Sequence, residues 1–211
     1  MSRTDPTRLP ELMRHDRAAL DALLDSTIVG HVAFVAEDGT PGVLPTAVAR
    51  WEDRLIVHGS TGSRWMRLVS GAPAVVSVTA VDGIIAARSA FESSLAYRSA
   101  VLFGAFDSLD GQEKRDALDV LTERLIPGRS GEVRPHTVKE LAATMVLAMP
   151  ITEWSLRVSD GWPEDPDSDI AGTAWAGQID FGARPTVIRA APDLRDGIPT
   201  PKSVAGLRPA H

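Results

Sequence analysis

The segment His58-Gly-Ser-Thr-Gly-Ser-Arg64 gathers two glycines, three hydroxyls, a histidine and an arginine within seven residues. If this loop leaves a strand and opens a helix, hydroxyl donors, free N–H groups and the Arg64 guanidinium can converge on a phosphate, with the glycines letting the backbone approach closely. The same residue types also suit a plain Ser/Thr helix cap beside a solvated arginine, and residue types alone leave both open. A second group, Arg88-Ser-Ala-Phe-Glu-Ser-Ser-Leu-Ala-Tyr-Arg-Ser99, is dense in arginine and hydroxyls. Arg88, Ser89, Tyr97, Arg98 and Ser99 either line a polar pocket or form a solvated connection with Phe91 and Tyr97 packed.

Other chemistries lack their residues. Without cysteine there are no disulfides, thiolate nucleophiles, cysteine-ligated zinc or iron–sulfur clusters. His15, His31, His58, His136 and His211 fall in no metal-ligand spacing, so no metal is expected. Neither a G-x-S-x-G elbow, a dinucleotide G-x-G-x-x-G nor a phosphate-loop G-x-x-x-x-G-K occurs. No catalytic residue can be assigned, and a bound organic cofactor is the economical source of reactivity.

The elements that must carry these residues read as mainly β with peripheral α. Leu20, Leu23 and Leu24 share one face of a short helix from Asp16 to Asp25. Two strands follow around an Asp38-Gly39 turn, the second over Val43 to Trp51, and then Arg54 to Ser60 leads into a helix bearing Trp65, Leu68 and Val69. Pro73 to Val81 reads as a strand turning at Asp82-Gly83, with Ile84 to Ala87 returning antiparallel. Tyr97 to Phe106 is a further strand, Gln112 to Ile126 an amphipathic helix, and Thr144 to Val158 one strand interrupted at Pro150. Short turns without β-α-β alternation favour an antiparallel barrel. The expected organisation is an N-terminal arm over 1–15, one domain over 16–158, and a tail over 159–211 that wraps the barrel or a partner with Trp162, Trp175, Ile179 and Phe181 as anchors.

The chain has 211 residues, with Lys+Arg 22 against Asp+Glu 28 and a formal net charge of -6. No basic run accumulates, so no nucleic-acid partner is expected. The charged first twenty residues lack an apolar targeting core, and the longest apolar stretch, Met145 to Ile151, is too short to span a bilayer, so a cytoplasmic chain with no membrane partner is expected.

The ordered set Asp38-Gly-Thr-Pro, Pro45-Thr46, His58-Gly-Ser-Thr-Gly-Ser-Arg64, Asp82-Gly83, Ala87-Arg-Ser-Ala-Phe91 and Tyr97-Arg-Ser-Ala-Val101 resembles the pyridoxamine 5′-phosphate oxidase-like flavin-nucleotide-binding proteins, and within them the nitroimidazole-resistance branch. The resemblance implies a six-stranded antiparallel split β-barrel, a homodimer, and FMN in clefts at the subunit interface. It puts Ser63 and Arg64 at the FMN phosphate, Thr46, Ala47 and Val48 on a strand beside the isoalloxazine, and His58 and Gly59 at the strand end beneath it. Ser99 would reach the cofactor across the dimer, and Trp175 would lie near the ring. Residues 42 to 47 read Gly-Val-Leu-Pro-Thr-Ala and lack the oxidase's basic R-x-x-x-x-K strand, so the resemblance does not extend to pyridoxal phosphate synthesis. Three functions stay open: an FMN-dependent oxidoreductase acting on a small molecule, a haem-binding or haem-handling protein using His58, and a noncatalytic flavin carrier.

Overall fold

The computed structural model describes residues 4, 6, 8–182, 188 and 199–206. Ten strands occur among them: β1 Met13–Arg14, β2 Val29–Val35, β3 Pro41–Trp51, β4 Arg54–Ser60, β5 Pro73–Ala86, β6 Ser94–Ala105, β7 Asp107–Ser108, β8 Thr144–Pro150, β9 Glu153–Ser159 and β10 Gly177–Asp180. The helices are α1 Arg17–Ser26, α2 Arg64–Val69, α3 Gly111–Leu125, α4 Val138–Ala143, α5 Asp167–Ile170 and α6 Lys202–Ala205. No helix among the described residues is long and apolar enough to cross a membrane.

The strands form one antiparallel sheet in the order β1-β9-β6-β5-β2-β3-β4-β8-β7, with β10 added on β5. The two ends of this path are joined by very little chain. Pro150 ends β8 and Glu153 begins β9, a reach of three Cα steps, or about 11 Å at most. The sheet must therefore curl until its ends nearly meet. β8 pairs with β4 and β9 with β6, but the two do not pair with each other, which leaves the barrel split at that seam. The segment expected as one strand interrupted at Pro150 is thus two strands at opposite ends of the sheet.

Asp82-Gly83 also departs from its expected role as a turn. No hairpin turns there: β5 runs on to Ala86, with a bulge between Val81 and Gly83, and pairs with β6 as far as Ile85↔Ser94. The turn falls at residues 87–93. Arg98 holds the Asp82 carboxylate with two bonds of 2.9 and 2.8 Å, which fixes the bulge against β6.

The barrel interior is filled by Val32, Val48, Leu55, Val57, Val76, Val78, Leu102, Leu147, Met149 and Leu156, closed by Leu20, Leu23 and Leu24 of α1 and by Met66 and Val69 of α2. A second cluster lies outside it. Ala49, Ile56, Val146 and Ala148 on the outer face of β3, β4 and β8 pack under Ala117, Leu118 and Leu121 of α3 and Leu141 of α4. The outer face of β2, β5, β6 and β9 has no such helical cover among the described residues.

Candidate functional site

β3 changes partners in mid-strand. From Pro41 to Ala47 it pairs with β2, and from Val48 to Trp51 with β4. Beyond Val57 the two strands part, because His58, Gly59 and Ser60 pair only with β8. The free edges of β3 and β4 therefore open a cleft lined by backbone, with Thr46 half-buried and Val48 buried in the barrel interior. Ala47 faces the other way, alongside Val29 of β2.

The turn into α2 closes one end of this cleft. It is held by Ser63 N–H donating to Ser60 O at 2.9 Å, Gly62 N–H to Ser60 Oγ at 3.1 Å, and Thr61 N–H to Ala143 O at 2.9 Å. Gly59 lies beneath α2, where an added Cβ would sit 3.2 Å from Met66 Cγ. Ser63 occupies the N-cap position in extended conformation, yet its hydroxyl makes no cap bond. A serine at that position ordinarily accepts from an N–H of the first turn, so here both groups are left for another partner. Arg64 is exposed and forms no hydrogen bond or ion pair with described residues. With Phe34, Asp38, Thr40, Gly42, Trp65 and Leu68 it lines a recess of about 330 Å³. Asp38 is held below its ordinary pKa first by accepting from Thr40, and last by the charge of Arg64.

His58 lies on the opposite side of β4. It shares a face with Ile56, which belongs to the outer cluster, while Val57 belongs to the barrel interior. Its ring enters a cavity of about 250 Å³ with Leu118, Leu121, Thr122, Leu125, His136, Glu140 and Thr144. Nδ1 is buried without a partner, and burial pushes the imidazole pKa down. The side chain is therefore a neutral base with an unoccupied lone pair or N–H inside a largely apolar wall.

The remaining expected residues gather elsewhere in the chain. Arg88 donates its backbone N–H and Nη1 to the Asp165 carboxylate at 2.8 and 2.9 Å, and that carboxylate is fully buried. Ser89 Oγ accepts from Glu92 N–H at 3.2 Å. Tyr97 and Ser99 lie on the outer face of β6, opposite Val81 and Thr79, and Arg98 is taken by Asp82. The Trp175 ring covers Gly177, which pairs with Ala86. Since β5 and β2 stand between β6 and β3, one chain does not bring this group to the α2 recess. The pairing of Asp165 with Arg88 and of Asp82 with Arg98, and the placing of Phe34, Thr40 and Gly42 beside Arg64, go beyond the expected site residues. These partners lie far off in sequence, and no local period marks them.

Comparison with family models matches residues 16–158 to pyridoxamine 5′-phosphate oxidase. Comparison with curated proteins gives no match. Among solved structures, the FAD and haem binding protein of Mycobacterium smegmatis is 47% identical with a TM-score of 0.90, covering 94% of this chain and 98% of that one. The flavocytochrome Anf3 of Azotobacter vinelandii is 30% identical with a TM-score of 0.91, covering 100% and 98%. A protein assigned to 5-nitroimidazole resistance in Bacteroides thetaiotaomicron is 15% identical with a TM-score of 0.59, covering 69% and 86%, a likeness of fold alone.

Proposed function

Because this chain belongs to the pyridoxamine 5′-phosphate oxidase family, we propose that it is a flavin-dependent oxidoreductase of small molecules that holds a flavin nucleotide in the cleft between β3 and β4. The observation that carries this is the pairing of an uncapped Ser63 hydroxyl with an unpartnered Arg64 where the two strand edges separate. Ser63 and Arg64 hold the phosphate, and the backbone edge at Thr46 to Val48 lies beside the ring system. The bound flavin supplies electron transfer; the chain binds and orients it and keeps water from one side. The 47% identical structure is an FAD and haem binding protein, which favours FAD over FMN.

A homodimer completes the site in this proposal. Val35 and Val43, on the uncovered outer face of β2 and β3, are 65% and 66% exposed, and an apolar sheet face of this kind ordinarily has a partner. A second copy docked about a two-fold axis covers that face with its own equivalent. It also brings Tyr97 and Ser99 of one chain toward the cleft of the other.

A second cofactor is favoured by the His58 cavity. The buried, unpartnered imidazole nitrogen of His58, beside Leu118, Leu121 and Leu125, is the group that would bind haem iron, which would supply a second redox centre. Absorption spectra of the purified or reconstituted protein test both cofactors. Two flavin bands plus a Soret band are expected, and chromatography of the released flavin distinguishes FAD from FMN. In His58→Ala the Soret band should be lost while the flavin bands stay. Wild-type protein that takes up neither flavin from a saturating solution would end the flavin proposal.

A further inference from the structure

Three arginines project from the sheet around β5, β6 and β9 or the loop beside them. Arg88 is paired with Asp165 and Arg98 with Asp82. Arg157 is not: its Nε is buried with no hydrogen-bond partner, and no described residue forms an ion pair with it. A guanidinium nitrogen stripped of water and left unbonded is unfavourable, and a charged partner is what ordinarily satisfies it. The solvated Arg64 carries no such penalty; Arg157 does.

The strand register says what surrounds Arg157. It lies opposite Ser99, and Ser99 opposite Thr79. All three fall on the uncovered outer face, because Val78, Ala100 and Leu156, their neighbours in sequence, point into the barrel. Neither the Thr79 nor the Ser99 hydroxyl has a side-chain hydrogen bond among the described residues. One guanidinium and two hydroxyls in a row across three strands form an anion-binding set, with the charge at one end and adjustable donors beside it. Nearby Asp82 is already engaged by Arg98 and does not compete.

We infer that Arg157, with Ser99 and Thr79, binds the second phosphate of FAD carried in the cleft of the partner subunit, making this row the element that selects FAD over FMN. The inference rests on the flavin and dimer proposals above. Ser63 and Arg64 answer one phosphate, the one that FMN and FAD share. FAD has a second, which needs its own cation, and in the proposed dimer the outer face of β6 and β9 would be turned toward the partner's cleft.

Titrating Arg157→Gln and wild type with FAD, FMN and riboflavin, with light scattering on the same samples, tests this. The variant is expected to bind FAD roughly tenfold to hundredfold more weakly, with FMN and riboflavin unchanged and the mass still that of a dimer. Unchanged FAD affinity would overturn the assignment. Equal losses for FAD and FMN would also overturn it, since they would place Arg157 on the shared part of the ligand or on the fold. Loss of the dimer would show that Arg157 meets a carboxylate of the second copy instead. If wild type binds FMN as tightly as FAD, the selection role fails while the flavin site stands; if wild type binds neither, the flavin proposal fails first and this one with it.

Discussion

Single residues of this chain, Ser63, Arg64, His58 and Arg157 among them, carry polar groups without their ordinary partners among the described residues. Arg64 is the plainest. Replacing it with alanine removes a charge-assisted bond worth roughly 1.5–3 kcal/mol, so FMN and FAD should each bind about tenfold to hundredfold more weakly. Riboflavin, which has no phosphate, should be unaffected, and fluorescence titration of all three reads the difference. Equal losses for riboflavin would remove Arg64 from the phosphate. His58 gives a prediction in pH. Its folded pKa lies below the ordinary 6.5 because burial disfavours the charged ring. Below that value the unfolded chain binds a proton that the folded chain refuses, so stability should fall as the pH drops from about 6.5. In the cofactor-free protein His58→Gln should flatten this part of the curve in urea unfolding between about pH 7 and 5. The lowered carboxylates act in a different window. Glu140, held down first by Arg134 and then by Thr137, and Glu123 and Glu132, held down by N–H and hydroxyl donors, start from an ordinary 4.5. Their stabilisation is present above that value and is lost as the pH falls below it.

At the scale of elements, β10 is the piece most open to separate disruption. It pairs with the end of β5 that β2 does not reach, from Gly177↔Ala86 to Asp180↔Gly83. A Cβ on Gly83 would collide with the backbone carbonyl of Ile179. Gly83→Ala should therefore release β10 while the barrel, whose core lies elsewhere, stays folded. Limited proteolysis checks this: cleavage near residues 170–182 should accelerate and the remaining fragment should stay resistant. Faster cleavage throughout would mean that β10 supports the whole barrel.

How much of these elements the sequence discloses depends on whether the signal is local. Leu20, Leu23 and Leu24 mark α1, and Ala117, Leu118 and Leu121 mark α3, because a helix buries residues at its own period. The Asp38-Gly39 turn is equally legible: Gly39 takes φ 82°, as a tight hairpin asks. Asp82-Gly83 carries the same dipeptide and is a bulge, since what decides is Arg98 on the next strand and Ile179 in the tail. Pro150 signals a break, but not that the chain crosses there to the far end of the sheet. The loop over His58 to Arg64 was legible as residue types suited to an anion, and only the geometry shows Ser63 uncapped. His58 was legible as a strand-end histidine sharing a face with Ile56, whereas its cavity is built with residues of α3 and with His136 and Glu140, far along the chain. The tail is described only in part. Through residue 182 it attaches to the barrel by Asp165 and β10, and residues 199–206 meet the loop after α3, where the backbone N–H and hydroxyl of Ser203 donate to Glu132. The expected wrapping between 183 and 198 falls, apart from residue 188, outside the described residues.

At the scale of the whole molecule, the sheet has two outer faces with different fates. Over β4 and β8 it lies under α3 and α4; over β2, β5, β6 and β9 it carries Val29, Val35 and Val81 into solvent with no described cover. In the proposed assembly a second copy covers the uncovered half and the flavin is held between the two. Sedimentation velocity recorded at a flavin absorption band measures both parts at once. The flavin absorbance is expected to move with a species of about 45 kDa, twice the 22.6 kDa chain. Flavin absorbance moving with a 22.6 kDa species, or not moving with the protein at all, would contradict it.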